Sequence, residues 1–182
     1  MNEFHDIPLE FSRPFAIDDI DPKGSLVALE ADPEERRRLA ARFDLLALDR
    51  LVGQLTVTRA LSGIPIRVKG RFQASVVQRC VVSLDPVASE IDEPIEAEYA
   101  PAAADGTEEV FHLDQPDPPE PLDGDSIELG ELVAQHLSVA LDPYPRKAGL
   151  EPLDWSEPAR QEGGVNPDNP FSILASLGKK EP

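Results

Sequence analysis

Between Ile66 and Leu84 the chain alternates with a period of two, and no other feature limits its folding as strongly. Ile66, Val68, Phe72, Ala74, Val76, Cys80, Val82 and Leu84 share one parity. Arg67, Lys69, Arg71, Gln73, Ser75, Arg79 and Ser83 share the other. Successive side chains of a strand point to opposite faces of its sheet, so the run predicts one long strand with an apolar and a cationic face. Val77, Gln78 and Val81 depart from the pattern, and Gly70 is expected at a bend or bulge. Leu55–Leu61 alternates in the same way ahead of a turn at Ser62–Pro65. Ala88–Tyr99 does so beyond the break at Asp85-Pro86, with Ile91, Ile95, Ala97 and Tyr99 on one face and Glu96 and Glu98 on the other. Three such runs in sequence predict an antiparallel meander, with closure towards a barrel as one outcome.

Around this meander the sequence predicts two further strands and two helices. Pro8–Ile17 and Leu26–Ala31 have β character, separated by a turn-rich Asp18–Gly24. Asp32-Pro33-Glu34-Glu35 opens a helix: Asp32 is placed to cap, Pro33 suits the first helical position, and Glu35 completes a capping box. Leu39, Phe43, Leu46 and Ala47 then recur at helical spacing among Arg36, Arg37, Arg38 and Arg42, predicting a helix over Pro33–Ala47. A short edge strand is expected at Glu108–Leu113, and irregular chain over Pro116–Pro121. Asp125 with Glu128 reads as a second capping box. Leu129, Leu132, Val133, His136, Leu137, Ala140 and Leu141 then form a core stripe, so the second helix is expected over Ser126–Leu141 and stops before Pro143. From Tyr144 to Asn169 composition predicts disorder, ahead of a short apolar segment at Pro170–Leu177. The expectation is an α+β fold, with residues 1–147 as one domain and 148–182 as a flexible tail.

The charge of −18, from 35 acidic and 17 basic residues, is unevenly placed. Leu51–Leu84 has no Asp or Glu, whereas Cys80–Pro145 has 17 acidic residues and no Lys or Arg. One reading makes these stretches adjacent strands with complementary faces. Another uses Arg67, Lys69 and Arg71, a stripe ~13 Å long, together with Arg79, to contact RNA or a protein partner. No aromatic residue interleaves with that stripe, which argues against base stacking. Phe171, Ile173, Leu174 and Leu177 are candidates for docking into a partner groove.

No catalytic or metal site is legible. His5, His112 and His136 are dispersed, with His136 expected in the core. Cys80, the only cysteine, is expected to be buried and inert and excludes an intrachain disulfide. There is no phosphate-binding glycine loop and no nucleophile elbow. The start lacks the pattern of a signal peptide, and no apolar run reaches the ~18 residues of a membrane span, so a cytoplasmic protein without cofactor is expected.

Three segments in this order resemble the YceD family, named for large ribosomal RNA subunit accumulation. They are Val68-Lys69-Gly70-Arg71-Phe72 with Val77–Val87, then Leu122–Val133 followed by Pro143-Tyr144-Pro145-Arg146, and finally Asn169–Leu177. The resemblance spans roughly Phe15–Leu177. It implies a bacterial cytosolic protein needed for normal large-subunit ribosomal RNA levels, without known catalytic activity. The leading expectation is a non-catalytic factor for large-subunit biogenesis with a ribosomal protein or assembly factor as partner: the acidic Glu90–Glu131 stretch would mimic RNA and hold a basic ribosomal protein, or the Arg67–Arg71 stripe would touch ribosomal RNA. Many members of the family carry C-x-x-C where this chain has Val77 and a lone Cys80, so any zinc or redox role of that pair would not apply. The competing readings are an adaptor docking through its C-terminal segment and an enzyme acting on RNA.

Overall fold

The computed structural model describes residues 9–60, 64–101, 118–122 and 124–149. Strands β1 (Pro14–Ala16), β2 (Ser25–Glu30), β3 (Ala47–Arg59), β4 (Ile66–Arg79), β5 (Pro86–Pro101), β6 (Glu120–Leu122) and β7 (Ser126–Glu128) accompany helices α1 (Pro33–Arg42) and α2 (Leu129–Ala140). β2 to β6 form a five-stranded sheet in sequence order, antiparallel except at β5–β6, and β1 pairs with β7 separately. The fold is α+β. The five-stranded sheet stays open, with β2 and β6 as its edges, so it does not close into a barrel.

The parity reading holds along β4. Ile66, Val68, Phe72, Ala74 and Val76 are buried, while Arg67, Lys69, Arg71 and Gln73 are exposed. On the neighbouring strands Leu51, Leu55 and Val57 of β3 and Ile95 and Ala97 of β5 join them. Phe11, Leu39 of α1, and Leu129, Leu132, Val133 and Leu137 of α2 complete that core. The alternation breaks after Arg79. Cys80 is fully buried, but the chain then turns, with Leu84 N–H donating to Cys80 O and Cys80 N–H to Asp85 O. Leu84 adopts φ 63°, and Val82 and Leu84 emerge at 43% and 64% exposure instead of facing the core. Gly70 is no bulge: it keeps register with Leu55 and Ile95, and the one shift in the β3–β4 ladder falls between Leu48 and Arg50.

α1 carries the expected capping box. Asp32 Oδ1 accepts from the Glu34 and Glu35 N–H groups, both at 2.8 Å, and the Asp32 N–H donates to Glu35. It ends at Arg42, five residues before the expected Ala47. Asp44 takes the left-handed conformation at φ 53°, and Leu45 N–H returns to Ala40 O, which satisfies the last carbonyls in a Schellman arrangement. Leu46 N–H then reaches Val77 O and Ala47 starts β3. The strand's demand for backbone partners outweighs the helical spacing of Leu46 and Ala47.

α2 begins at Leu129, three residues late. Ser126–Glu128 pair with Pro14–Ala16, and Glu128 does not cap: its carboxylate accepts from the Ser12 hydroxyl and the Arg13 N–H. The first strand is correspondingly short, three residues instead of the expected Pro8–Ile17. Glu120 and Pro121, expected to be irregular, instead pair together with Leu122 in parallel with Tyr99–Pro101, on an edge where proline is tolerated. The expected edge strand at Glu108–Leu113, the Ser62-Gly63 part of the turn before β4, and His5 and His112 lie outside the described residues.

By its internal contacts the chain divides into Met1–Ala148 and Gly149–Pro182. The segment after Pro143 is ordered further than expected, because it packs beside the β4–β5 turn. Pro145 is buried and its carbonyl accepts from the Val81 N–H at 2.9 Å. Lys147 donates from its backbone N–H to Cys80 Sγ at 3.4 Å and from Nζ to Asp85 at 2.9 Å.

Candidate functional site

The cationic stripe lies on the uncovered face of the sheet, and its register decides what it can do. Arg67 stands opposite Glu98 and Lys69 opposite Glu96 across β4–β5, while Gln73 faces Asp92 and Ser75 faces Glu90. Arg67 Nε meets Glu98 at 2.6 Å, Lys69 pairs with Glu96, and Arg71 contacts Asp92 at 2.9 Å and also the Asp92 carbonyl at 3.0 Å. Gln73 donates to Asp92, and this amide, with the Arg71 guanidinium, holds the Asp92 carboxyl below its ordinary range. The Ser75 hydroxyl donates to Glu90 at 2.7 Å. All three stripe cations therefore have a carboxylate partner on β5. Arg79 ends the ladder opposite Pro86, exposed and without an ion-pair partner among the described residues.

Sequence reasoning placed the stripe and anticipated complementary strand faces. It missed the groups that join the layers. Arg13 holds Glu35 through two contacts of 2.7 and 2.9 Å, tying the segment before β1 to the α1 cap and keeping the Glu35 carboxyl low. Arg42 bridges Glu10 and Glu131, linking α1 to α2. These pairs span 22, 32 and 89 residues of chain, beyond the reach of any local pattern.

Much of the acidic stretch is thus engaged within the fold: Glu90, Asp92, Glu96, Glu98, Glu128 and Glu131 all have partners. Several carboxylates without an ion pair among the described residues lie near the Val57 end of β3, where Arg59 also sits beside Asp18 and Asp21, while others such as Asp49 lie at its start. Asp18, Asp19 and Asp21 precede β2, whose Ser25 stands opposite Val57, and Ile17 N–H bonds to Asp125 O, which brings Asp125 alongside. All four aspartates are exposed. Ala47, at the start of β3, lies ten strand residues from Val57, ~33 Å away. Arg79 lies at that far end, just past the Ala47–Val77 pair.

No group of three or more His, Cys, Asp or Glu side chains suited to a metal ion occurs among the described residues. His136 is half-buried on α2, its Nδ1 3.0 Å from Leu132 O, beside Phe72, Glu93 and Pro94. Cys80 is buried, as expected. Hydrogen bonding from Ser83, through its side chain and its N–H, and from the Lys147 N–H lowers the thiol to about 6, although the sulfur is buried. Its sulfur accepts from both the β4–β5 turn and the segment that follows α2. Phe171, Ile173, Leu174 and Leu177 lie outside the described residues. Among those described, no helix is long and apolar enough to cross a membrane.

Neither the curated proteins nor the solved structures provide a match to the chain. One protein family does: its profile, described as large ribosomal RNA subunit accumulation protein YceD, matches residues 68–178. That span runs from within β4 through β5 to β7 and α2 and takes in more than half of the chain. The chain belongs to the YceD family.

Proposed function

We propose that this protein is a non-catalytic factor that supports large-subunit ribosomal RNA accumulation by binding a basic protein of the assembling particle. The family description supplies the process. The observation that carries the binding mode is the pairing of Arg67, Lys69 and Arg71 with Glu98, Glu96 and Asp92. A phosphate backbone would have to displace those carboxylates and approach a chain of charge −18. Both costs oppose RNA binding at this face, since phosphate affinity comes from cations able to release counterions. A basic protein meets the reverse situation. Asp18, Asp19, Asp21 and Asp125 are exposed and unpaired among the described residues, and long-range attraction steers a cationic partner towards them.

The test titrates the purified chain against purified basic large-subunit ribosomal proteins and, separately, against ribosomal RNA fragments. Binding to at least one such protein that weakens steeply with salt, and that falls in the Asp18→Asn/Asp19→Asn/Asp21→Asn variant, supports the reading. Binding to RNA that is lost in Arg67→Gln/Lys69→Gln/Arg71→Gln overturns it.

A further inference from the structure

The two edges of the five-stranded sheet are unequal. β6 is guarded, with only three residues, one of them Pro121. β2 has six, Ser25-Leu26-Val27-Ala28-Leu29-Glu30, with no proline, no bulge and a charge only at its last position. Its register with β3 fixes which backbone groups face outward. Ala31 N–H donates to Leu51 O, one step past the Glu30–Val52 pair, so the odd-numbered residues of β2 bond to β3. Leu26, Ala28 and Glu30 point their N–H and C=O groups the other way. The Glu30 carbonyl accepts from Arg13 at 3.2 Å, whereas the N–H and C=O of Leu26 and Ala28 and the Glu30 N–H have no partner among the described residues. The same residues are exposed, Leu26 at 81%, so no described element covers this edge.

From this we infer that the β2 edge takes up an extended polypeptide segment with basic flanks as a further strand of the sheet. Main-chain bonds to Leu26, Ala28 and Glu30 supply affinity, and the flanks supply the charge match. Residues 17–30 carry Asp18, Asp19, Asp21 and Glu30 against Lys23. The Asp21 N–H donates to the Ser25 hydroxyl, which donates to the Asp19 carbonyl, so these aspartates border the Ser25 end of the edge while Glu30 marks the other. Arg59 offsets one of these charges and Arg13 is held by Glu35, so the edge stays net acidic. A second copy of the chain fits poorly, because an antiparallel β2–β2 pair would turn Glu30 of each chain towards the aspartates of the other. RNA has no amide ladder to offer and meets the same carboxylates. The choice of a basic protein as the bearer of this segment rests on the function proposed above.

The experiment follows the Leu26, Ala28 and Glu30 amides of the full chain by ¹H–¹⁵N NMR as short capped peptides are added. The first alternates Val and Thr between lysines at both ends, the second is the same peptide N-methylated at its core amides, and the third carries glutamates for the lysines. Saturable shifts of these amides by the first peptide, at about submillimolar affinity, and binding at least about tenfold weaker with the second and third are expected. Ala28→Pro removes an outward N–H that β3 does not use, so it should abolish peptide binding with little loss of Tm. If that variant unfolds, the N-methylated peptide decides the same point on the native chain. Equal binding of the N-methylated or the glutamate peptide, no saturable shift at this edge, or the same shifts produced by an RNA oligomer or by self-association would overturn the inference. A basic large-subunit ribosomal protein that binds the native chain and a folded Ala28→Pro equally would also overturn it, while leaving the proposed function standing. Peptide binding at the edge with no such protein bound would count against that function alone.

Discussion

Gly70 is the position where the packing makes its most specific demand. It lies mid-β4, between Leu55 of β3 and Ile95 of β5. A Cβ there would overlap the Gln54 carbonyl oxygen and stand 2.9 Å from both Gln54 C and Leu55 Cα. All three are backbone atoms of a paired strand, so no rotamer change makes room. The Gly70→Ala variant must therefore part β3 from β4 locally. Overpacking costs ~1–3 kcal/mol and a weakened ladder bond adds ~1, whereas the stiffer unfolded chain returns only ~0.4–1. The expected net loss is about 2–3 kcal/mol. At ~2–4 °C per kcal/mol for a chain of this size, Tm should fall by about 4–12 °C in calorimetry. Gly53→Ala is the control. Its Cβ would meet the Val133 side chain at 3.3 Å, and that side chain can shift, so a much smaller change is expected. An unchanged or raised Tm for Gly70→Ala, or a larger loss for Gly53→Ala, would refute the packing argument.

Neutralising the stripe in Arg67→Gln/Lys69→Gln/Arg71→Gln should lower Tm at low ionic strength, and the deficit should shrink towards zero in 1 M salt, where the Debye length is ~3 Å. A deficit independent of salt would show that these side chains act through packing instead. Asp32→Ala removes the acceptor for two N–H groups of α1 and should cost about 1 kcal/mol in urea unfolding, whereas Asp49→Ala should cost little. With the Cys80 thiol lowered to about 6 in the fold, against ~8.5 when unfolded, the folded state favours the thiolate. That contribution is fully present above the unfolded value and is lost as pH falls through about 6. The stability difference between the native chain and Cys80→Ala should therefore widen from pH 5 to pH 9, and a difference that stays constant would rule out the thiolate.

The sequence made the interior of the sheet legible because burial on one face enforces a period of two, and Val68, Phe72, Val76 and Ile95 obey it. The N-terminus of α1 was legible for a similar reason, since Asp32 and Glu35 act within four residues of each other. Boundaries set by distant partners were not. Leu46 and Ala47 keep helical spacing yet leave the helix, with Ala47 starting β3, because Val77 lies opposite and accepts the Leu46 N–H, and Ser126–Glu128 extend because Pro14–Ala16 lie beside them. Val82 and Leu84 continue the alternation in sequence after the strand has turned. At the candidate site the cations and the complementary acidic strand were both visible. Their pairing depends on the β4–β5 register, which periodicity alone does not fix.

Affinity capture of the full chain from a cell extract, with and without nuclease, followed by identification of the bound proteins, bears most directly on whether this YceD family member works through protein contacts. Basic large-subunit ribosomal proteins should stay bound after nuclease treatment and be released as salt is raised. Their complete loss on nuclease treatment alone, with ribosomal RNA recovered only in its absence, would contradict the account and show RNA to be the ligand.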